Sequence, residues 1–146
     1  MDFFDEINSF EYLFCTGINE LSGNRLQINI EQAVSGTEKE NLSFGGVILS
    51  DLTPMERGGN KYSIYFSRYL AYHITNESYG TFNNIDEFDG HLIRVYYKSS
   101  YLQFIYDTTI ADVIYPGDLK HYGILCQDQI VDIITNEVPV ITKVGS

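Results

Sequence analysis

Three histidines, His73, His91 and His121, and two cysteines, Cys15 and Cys126, are the side chains best suited to metal binding or nucleophilic catalysis. Metal coordination draws on imidazoles or thiolates at short, recurring separations, and no pair here has the spacing of a helical histidine site or a close cysteine pair. A cysteine nucleophile needs its histidine within hydrogen-bonding reach. His121 and Cys126 fall on one expected strand at an odd separation, so their side chains leave opposite faces. That predicts a boundary role for His121 and buried free thiols at Cys15 and Cys126. No Gly-x-Ser-x-Gly elbow or phosphate-binding loop occurs, and the pairs Gly45-Gly46 and Gly58-Gly59 read as turns. Carboxylate pairs such as Glu38/Glu40 and Asp86/Asp89 lie in polar stretches, without the burial or coupling that tunes a general acid. Asp132 stands apart because it interrupts the apolar run Ile130-Val131-Asp132-Ile133-Ile134. Its expected place is a strand face, wet or paired with Arg68 or Arg94, or else recessed to receive a partner's base. The residues point to a protein with no catalytic group, metal or cofactor; an enzyme would have to rely on His73, His91 or His121.

The elements that position these residues read mainly as strands. Arg25 to Val34 puts Leu26, Ile28 and Ile30 on one side and Gln27, Asn29 and Glu31 on the other, the mark of a half-buried strand. Glu11 to Ile18 is an expected preceding strand, joined by turn residues between Glu20 and Asn24. A polar loop from Ser35 to Asn41, a strand from Phe44 to Ser50 and a turn-rich connection from Asp51 to Asn60 follow. Lys61 to Thr75 is rich in aromatic and β-branched residues and reads as a strand, with a bulge near Ser67-Arg68. Asn83 or Asn84 is placed to cap a helical turn through Phe88, and Asn76 to Gly80 reads as a tight turn. Leu92 to Tyr97 reads as a strand. Ser99 or Ser100 then caps a short helix that extends toward Asp112 before Tyr115-Pro116-Gly117-Asp118 turns the chain. His121 to Cys126 and Gln129 to Ile134 form two late strands, and Val138 to Val144 an edge strand marked by Pro139. The expected fold is α+β: one domain over residues 1–146, mainly antiparallel β-sheet with one or two short helices.

Charge narrows the partners. The formal net charge is -11, with ten acids against three bases in residues 1–60 and ten against six in residues 61–146. Nucleic-acid affinity comes largely from Lys and Arg displacing counterions, so direct nucleic-acid binding is not expected. The N-terminal residues lack a basic region followed by an apolar run, and no apolar stretch approaches the ~20 residues that span a bilayer, so no membrane contact and a cytoplasmic location are expected. Eleven of the 12 tyrosines fall between Tyr62 and Tyr122, and tryptophan is absent. Tyrosine supplies large contact area with little rotamer entropy to lose. Rings at Tyr62–Tyr72 and Tyr96–Tyr97 are expected mainly in the core, whereas Tyr79 and Tyr115, in turns, are assigned to a partner.

Several runs carry a family likeness. Ser67-Arg68-Tyr69-Leu70-Ala71-Tyr72, Asn76-Glu77-Ser78-Tyr79, Phe88-Asp89-Gly90, Arg94-Val95-Tyr96, His121-Tyr122-Gly123-Ile124, Val131-Asp132-Ile133-Ile134 and Pro139-Val140-Ile141 resemble immunity proteins of bacterial polymorphic toxin systems. The likeness is to antitoxins of the LXG-type and contact-dependent systems, over the last two-thirds of the chain. It implies a non-enzymatic protein that binds a cognate toxin domain, often a nuclease, and occludes its active site or substrate groove. Complementary charge would speed capture of a basic toxin. The expected partner-binding residues are Glu77, Tyr79, Asp86, Glu87 and Asp89, then Asp112, Tyr115 and Asp118. The competing expectation is a small-ligand-binding or regulatory module with an aromatic-lined pocket.

Overall fold

Side chains on a strand alternate between faces, and the isoleucine-rich alternation of this chain makes one face of each main strand dry. The computed structural model describes residues 2–35, 40–44, 47–52, 55–81, 85–112 and 114–145. Its elements are α1 (Phe3–Asn8), β1 (Leu13–Leu21), β2 (Arg25–Ser35), β3 (Glu40–Phe44), β4 (Val47–Leu52), β5 (Met55–Phe66), β6 (Ala71–Asn76), β7 (Glu87–Gly90), β8 (Ile93–Lys98), α2 (Ser100–Thr108), β9 (Lys120–Leu125), β10 (Gln129–Thr135) and β11 (Val140–Gly145). One antiparallel sheet has the order β1-β2-β5-β11 and a second the order β6-β10-β9-β8-β7, with β3-β4 a separate hairpin. The mostly antiparallel architecture with two short helices fits the α+β expectation.

The two larger sheets share a core. Leu26, Ile28 and Ile30 of β2 meet Tyr62, Ile64 and Phe66 of β5, and Ile93, Tyr122, Ile124, Val131 and Ile133 come from the other sheet. Each fully buried isoleucine contributes about 1.5–3 kcal/mol relative to an exposed one. Helix α1 closes one end. Asp2 caps it by accepting the Phe4 N–H at 2.9 Å, and its Ile7 is buried in the shared core. Asn8 Oδ1 accepts the backbone N–H groups of His91, Leu92 and Ile93 at 3.0, 2.8 and 2.8 Å, tying the helix to the turn before β8. Helix α2 forms a third layer on the outer face of the five-stranded sheet, where Leu102 and Ile105 pack with Ala111, Leu119 and Ile134.

Four expectations are corrected. The connection expected from Asp51 to Asn60 is strand from Met55 onward, paired with β2 as far as Ser35. Gly59 permits this, because a Cβ there would lie 2.6 Å from Gln32 Cβ. The single strand expected from Lys61 to Thr75 divides between the sheets: the Tyr69 N–H bonds to Asn24 O and the next N–H, of Leu70, to Ile134 O. No helical turn ends at Phe88, which lies in β7 and packs on Tyr96 of β8 at 5.1 Å; Asn83 and Asn84 lie outside the described residues, as do positions 36–39 of the expected polar loop and the Gly45-Gly46 pair. The helix capped by Ser99 stops at Thr108, where the Thr108 and Thr109 hydroxyls donate back to the carbonyls of Phe104 and Ile105.

The cysteines are free, with Cys126 buried and Cys15 half-buried. They meet across the core: contact with Cys126 lowers the pKa of Cys15, while the same contact and burial push Cys126 well up. Among the tyrosines, Tyr62 and Tyr96 are buried as expected, but Tyr97 is 57% exposed because it occupies the alternate position to Tyr96 near the end of β8.

Candidate functional site

Four adjacent strands bring a polar cluster together on the outer face of the five-stranded sheet. Tyr96 of β8 sits directly opposite His121 of β9, and Asp132 of β10 directly opposite His73 of β6. Gly123, between His121 and Leu125 on the same face of β9, pairs with Asp132. Its missing side chain leaves the room the cluster needs, since a Cβ there would lie 2.9 Å from the Tyr96 ring and 3.3 Å from Asp132 Oδ1.

Asp132 is the hub. Its Oδ1 lies 2.7 Å from His121 Nε2 and its Oδ2 3.0 Å from His73 Nε2. Burial pushes its carboxyl up, but hydrogen bonds from His121 and His73, together with their charges, outweigh burial and hold the pKa below 3.8. An ionised carboxylate only accepts, so each histidine carries its proton on Nε2. In the neutral ring of His121, Nδ1 then accepts the hydroxyl proton of Ser99 at 2.7 Å. Ser99 Oγ also caps α2 by accepting the Leu102 N–H at 3.0 Å. One continuous chain of hydrogen bonds therefore links the helix terminus to both imidazoles.

Rings fix the imidazole planes. Tyr96 stacks on His121 with centroids 4.1 Å apart, and Tyr101 stacks on His73 at 4.0 Å. Tyr101 also meets His121 edge-on at 5.4 Å. Burial and then the Asp132 charge push the Tyr101 hydroxyl up to about 12, so the ring stays neutral.

Beside α2 this cluster opens into a cavity of about 270 Å³. His73, His121, Asp132 and Asp86 line it together with the rings of Tyr79, Tyr96 and Tyr101. No lysine or arginine is among its lining residues. The contact order Ser99–His121–Asp132 has the sequence of a catalytic triad, but Ser99 is 5% exposed and does not line the cavity. Its hydroxyl orients His121 and is not offered to a substrate. Among the described residues no group of three or more His, Cys, Asp or Glu is arranged to hold a metal ion. The geometry explains this for His73, His121 and Asp132: the Nε2 atoms of the two histidines are spent on the carboxylate.

The expected site residues divide into separate groups. Tyr79 and Asp86 both line the cavity; Tyr79 is 79% exposed, and Asp86 Oδ1 accepts the Ser100 N–H at 3.2 Å. Glu77 begins the 3-10 turn that carries Tyr79, and it faces a neighbouring cleft with His91 and Arg94. Glu87 and Asp89 are exposed on the edge strand β7. Asp112, Tyr115 and Asp118 belong to the loop between α2 and β9, apart from the cavity. Asp112 is engaged there, accepting the N–H groups of Tyr115 and Ile114 at 2.8 Å each, and those bonds lower its pKa.

His73, His121 and Asp132 were not among the expected partner-binding residues; Asp132 was expected on a wet face, paired with Arg68 or Arg94, or recessed for a partner's base, and it pairs with two histidines. The reason is register: pairing sets position 132 opposite 73 and 123, with His121 two residues before 123 on the same face, which no local pattern reveals. The glycine at 123, in the middle of an apolar strand, is the one sequence signal of close approach at this spot. The chain matches no family model, no curated protein and no solved structure.

Proposed function

We propose that this chain is an immunity protein that binds a cognate toxin domain, a basic nuclease being the best fit, and blocks its active site or substrate groove. The observation that carries the reading is the loop between α2 and β9. Ile110 and Ile114 are 89% and 87% exposed and Tyr115 68%, with Asp107, Asp112 and Asp118 exposed in the same stretch. Exposed apolar side chains rimmed by charge are the usual anatomy of a protein-binding surface. The net charge of -11 selects a basic partner and speeds its capture. A second reading, a small-ligand-binding module, is supported by the ring-walled cavity of about 270 Å³ with its convergent polar groups.

The test is to co-express the chain with the C-terminal domain of the protein encoded by the neighbouring upstream reading frame, the proposed toxin, and to titrate the purified pair in an assay of that domain's activity. Growth rescue and inhibition complete at one equivalent are expected. Full toxin activity in the presence of excess chain would overturn the proposal.

A further inference from the structure

We infer that the cavity beside α2 is a receptor for a guanidinium or ammonium group, supplied by an Arg or Lys side chain of the partner. The donor's identity rests on the immunity reading; the chemistry of the site does not. Two carboxylates, Asp132 and Asp86, line the cavity, and no lysine or arginine among its lining residues competes for them. Each oxygen of Asp132 accepts one imidazole N–H, which leaves each with further acceptor capacity. Asp86 spends Oδ1 on the Ser100 N–H. Tyr79, Tyr96 and Tyr101 wall the same space. A cation next to carboxylates and aromatic rings gains charge-assisted hydrogen bonds and attraction to the ring quadrupoles. An anion would meet two carboxylates and is rejected.

The site is also built before it is filled. Ser99 holds His121, His121 and His73 hold Asp132 from both sides, and Tyr96 and Tyr101 fix the two rings by stacking. The charge therefore loses little freedom when a ligand arrives, which favours binding. Tyr79 is the exception: largely exposed at the rim, it is the ring free to close over an incoming side chain.

Arginine amide serves as the probe and citrulline amide as its neutral counterpart, each titrated into the whole chain while the His73 and His121 ring resonances are followed by NMR. Arginine amide is expected to produce a saturable shift of both rings, and citrulline amide none. Asp86→Asn and Asp132→Asn are each expected to weaken arginine amide about tenfold, the worth of one charge-assisted hydrogen bond. Because Asp132→Asn also disturbs the histidines, Asp86→Asn is the cleaner variant. No saturable shift, or an equal response to citrulline amide, would overturn the receptor. Arginine amide binding without toxin protection would leave the receptor standing and remove the immunity reading; protection without arginine amide binding would do the reverse.

Discussion

The two faces of the five-stranded sheet use the same strands for opposite chemistry. On the inner face Tyr122, Ile124, Val131 and Ile133 join a dry core shared with the second sheet. On the outer face, one residue away in each case, His121, Gly123 and Asp132 form a hydrogen-bonded cluster beneath Tyr96 and Tyr101. The inner face contributes stability through area removed from water, and the outer face contributes a shaped, charged cavity. Inner-face changes should therefore destabilise the fold without altering what the cavity prefers, whereas outer-face changes should alter that preference at a smaller cost in stability.

The sharpest contrast comes from Ile133→Ala, a fully buried position with no polar atom to lose. Removing it should destabilise the fold by about 2–5 kcal/mol in chemical denaturation. The ring resonances of His73 and His121 should keep their response to a cation in the fraction still folded.

Asp132→Asn comes next. Without the carboxylate the two imidazoles lose their common acceptor, and a loss of about 1–3 kcal/mol is expected at neutral pH. The folded pKa of Asp132 is depressed below its unfolded value of 3.8, so its contribution is present above that value and lost as pH falls through the folded pKa. The stability gap between the native chain and the variant should close in strong acid, as pH falls from 3.8 through the folded pKa of Asp132. A gap that closed near neutrality would place the effect elsewhere.

Ser99→Ala removes both the cap of α2 and the hydroxyl that holds His121 Nδ1. A thermal-denaturation loss of about 0.5–2 kcal/mol is expected from the cap alone. The smallest stability effect belongs to Tyr79→Ala, whose ring is almost wholly exposed: within about 0.5 kcal/mol of the native chain. A large loss at Tyr79 would make that ring structural and withdraw it from the cavity's rim.

The same contrast explains what the sequence disclosed. The alternation of Leu26, Ile28 and Ile30 announced a buried strand face because burial acts on each residue locally. A cap at Ser99 or Ser100 was legible for the same reason, since a serine before Tyr101, Leu102 and Ile105 acts within one helical turn, and the structure uses Ser99. The division of the Lys61–Thr75 stretch between two sheets was not legible, because it depends on Asn24 and Ile134 offering carbonyls from different sheets. The His73–Asp132–His121 cluster was hidden for a related reason. Its members are 59 and 11 residues apart in sequence and are joined by strand register alone. Tyr79 and Asp86 could be named as acid and ring in advance, but not as two walls of one cavity.

The central claim is capture of a basic toxin domain by an acidic surface, and association kinetics test it most directly. The rate constant for binding the proposed toxin partner should be measured at increasing salt for the native chain and for Glu77→Lys with Glu87→Lys. The account predicts a rate that falls steeply with salt, a slower rate for the doubly reversed variant, and a flatter salt dependence. An unchanged on-rate would remove Glu77 and Glu87 from the interface, and a native rate indifferent to salt would contradict electrostatic capture altogether.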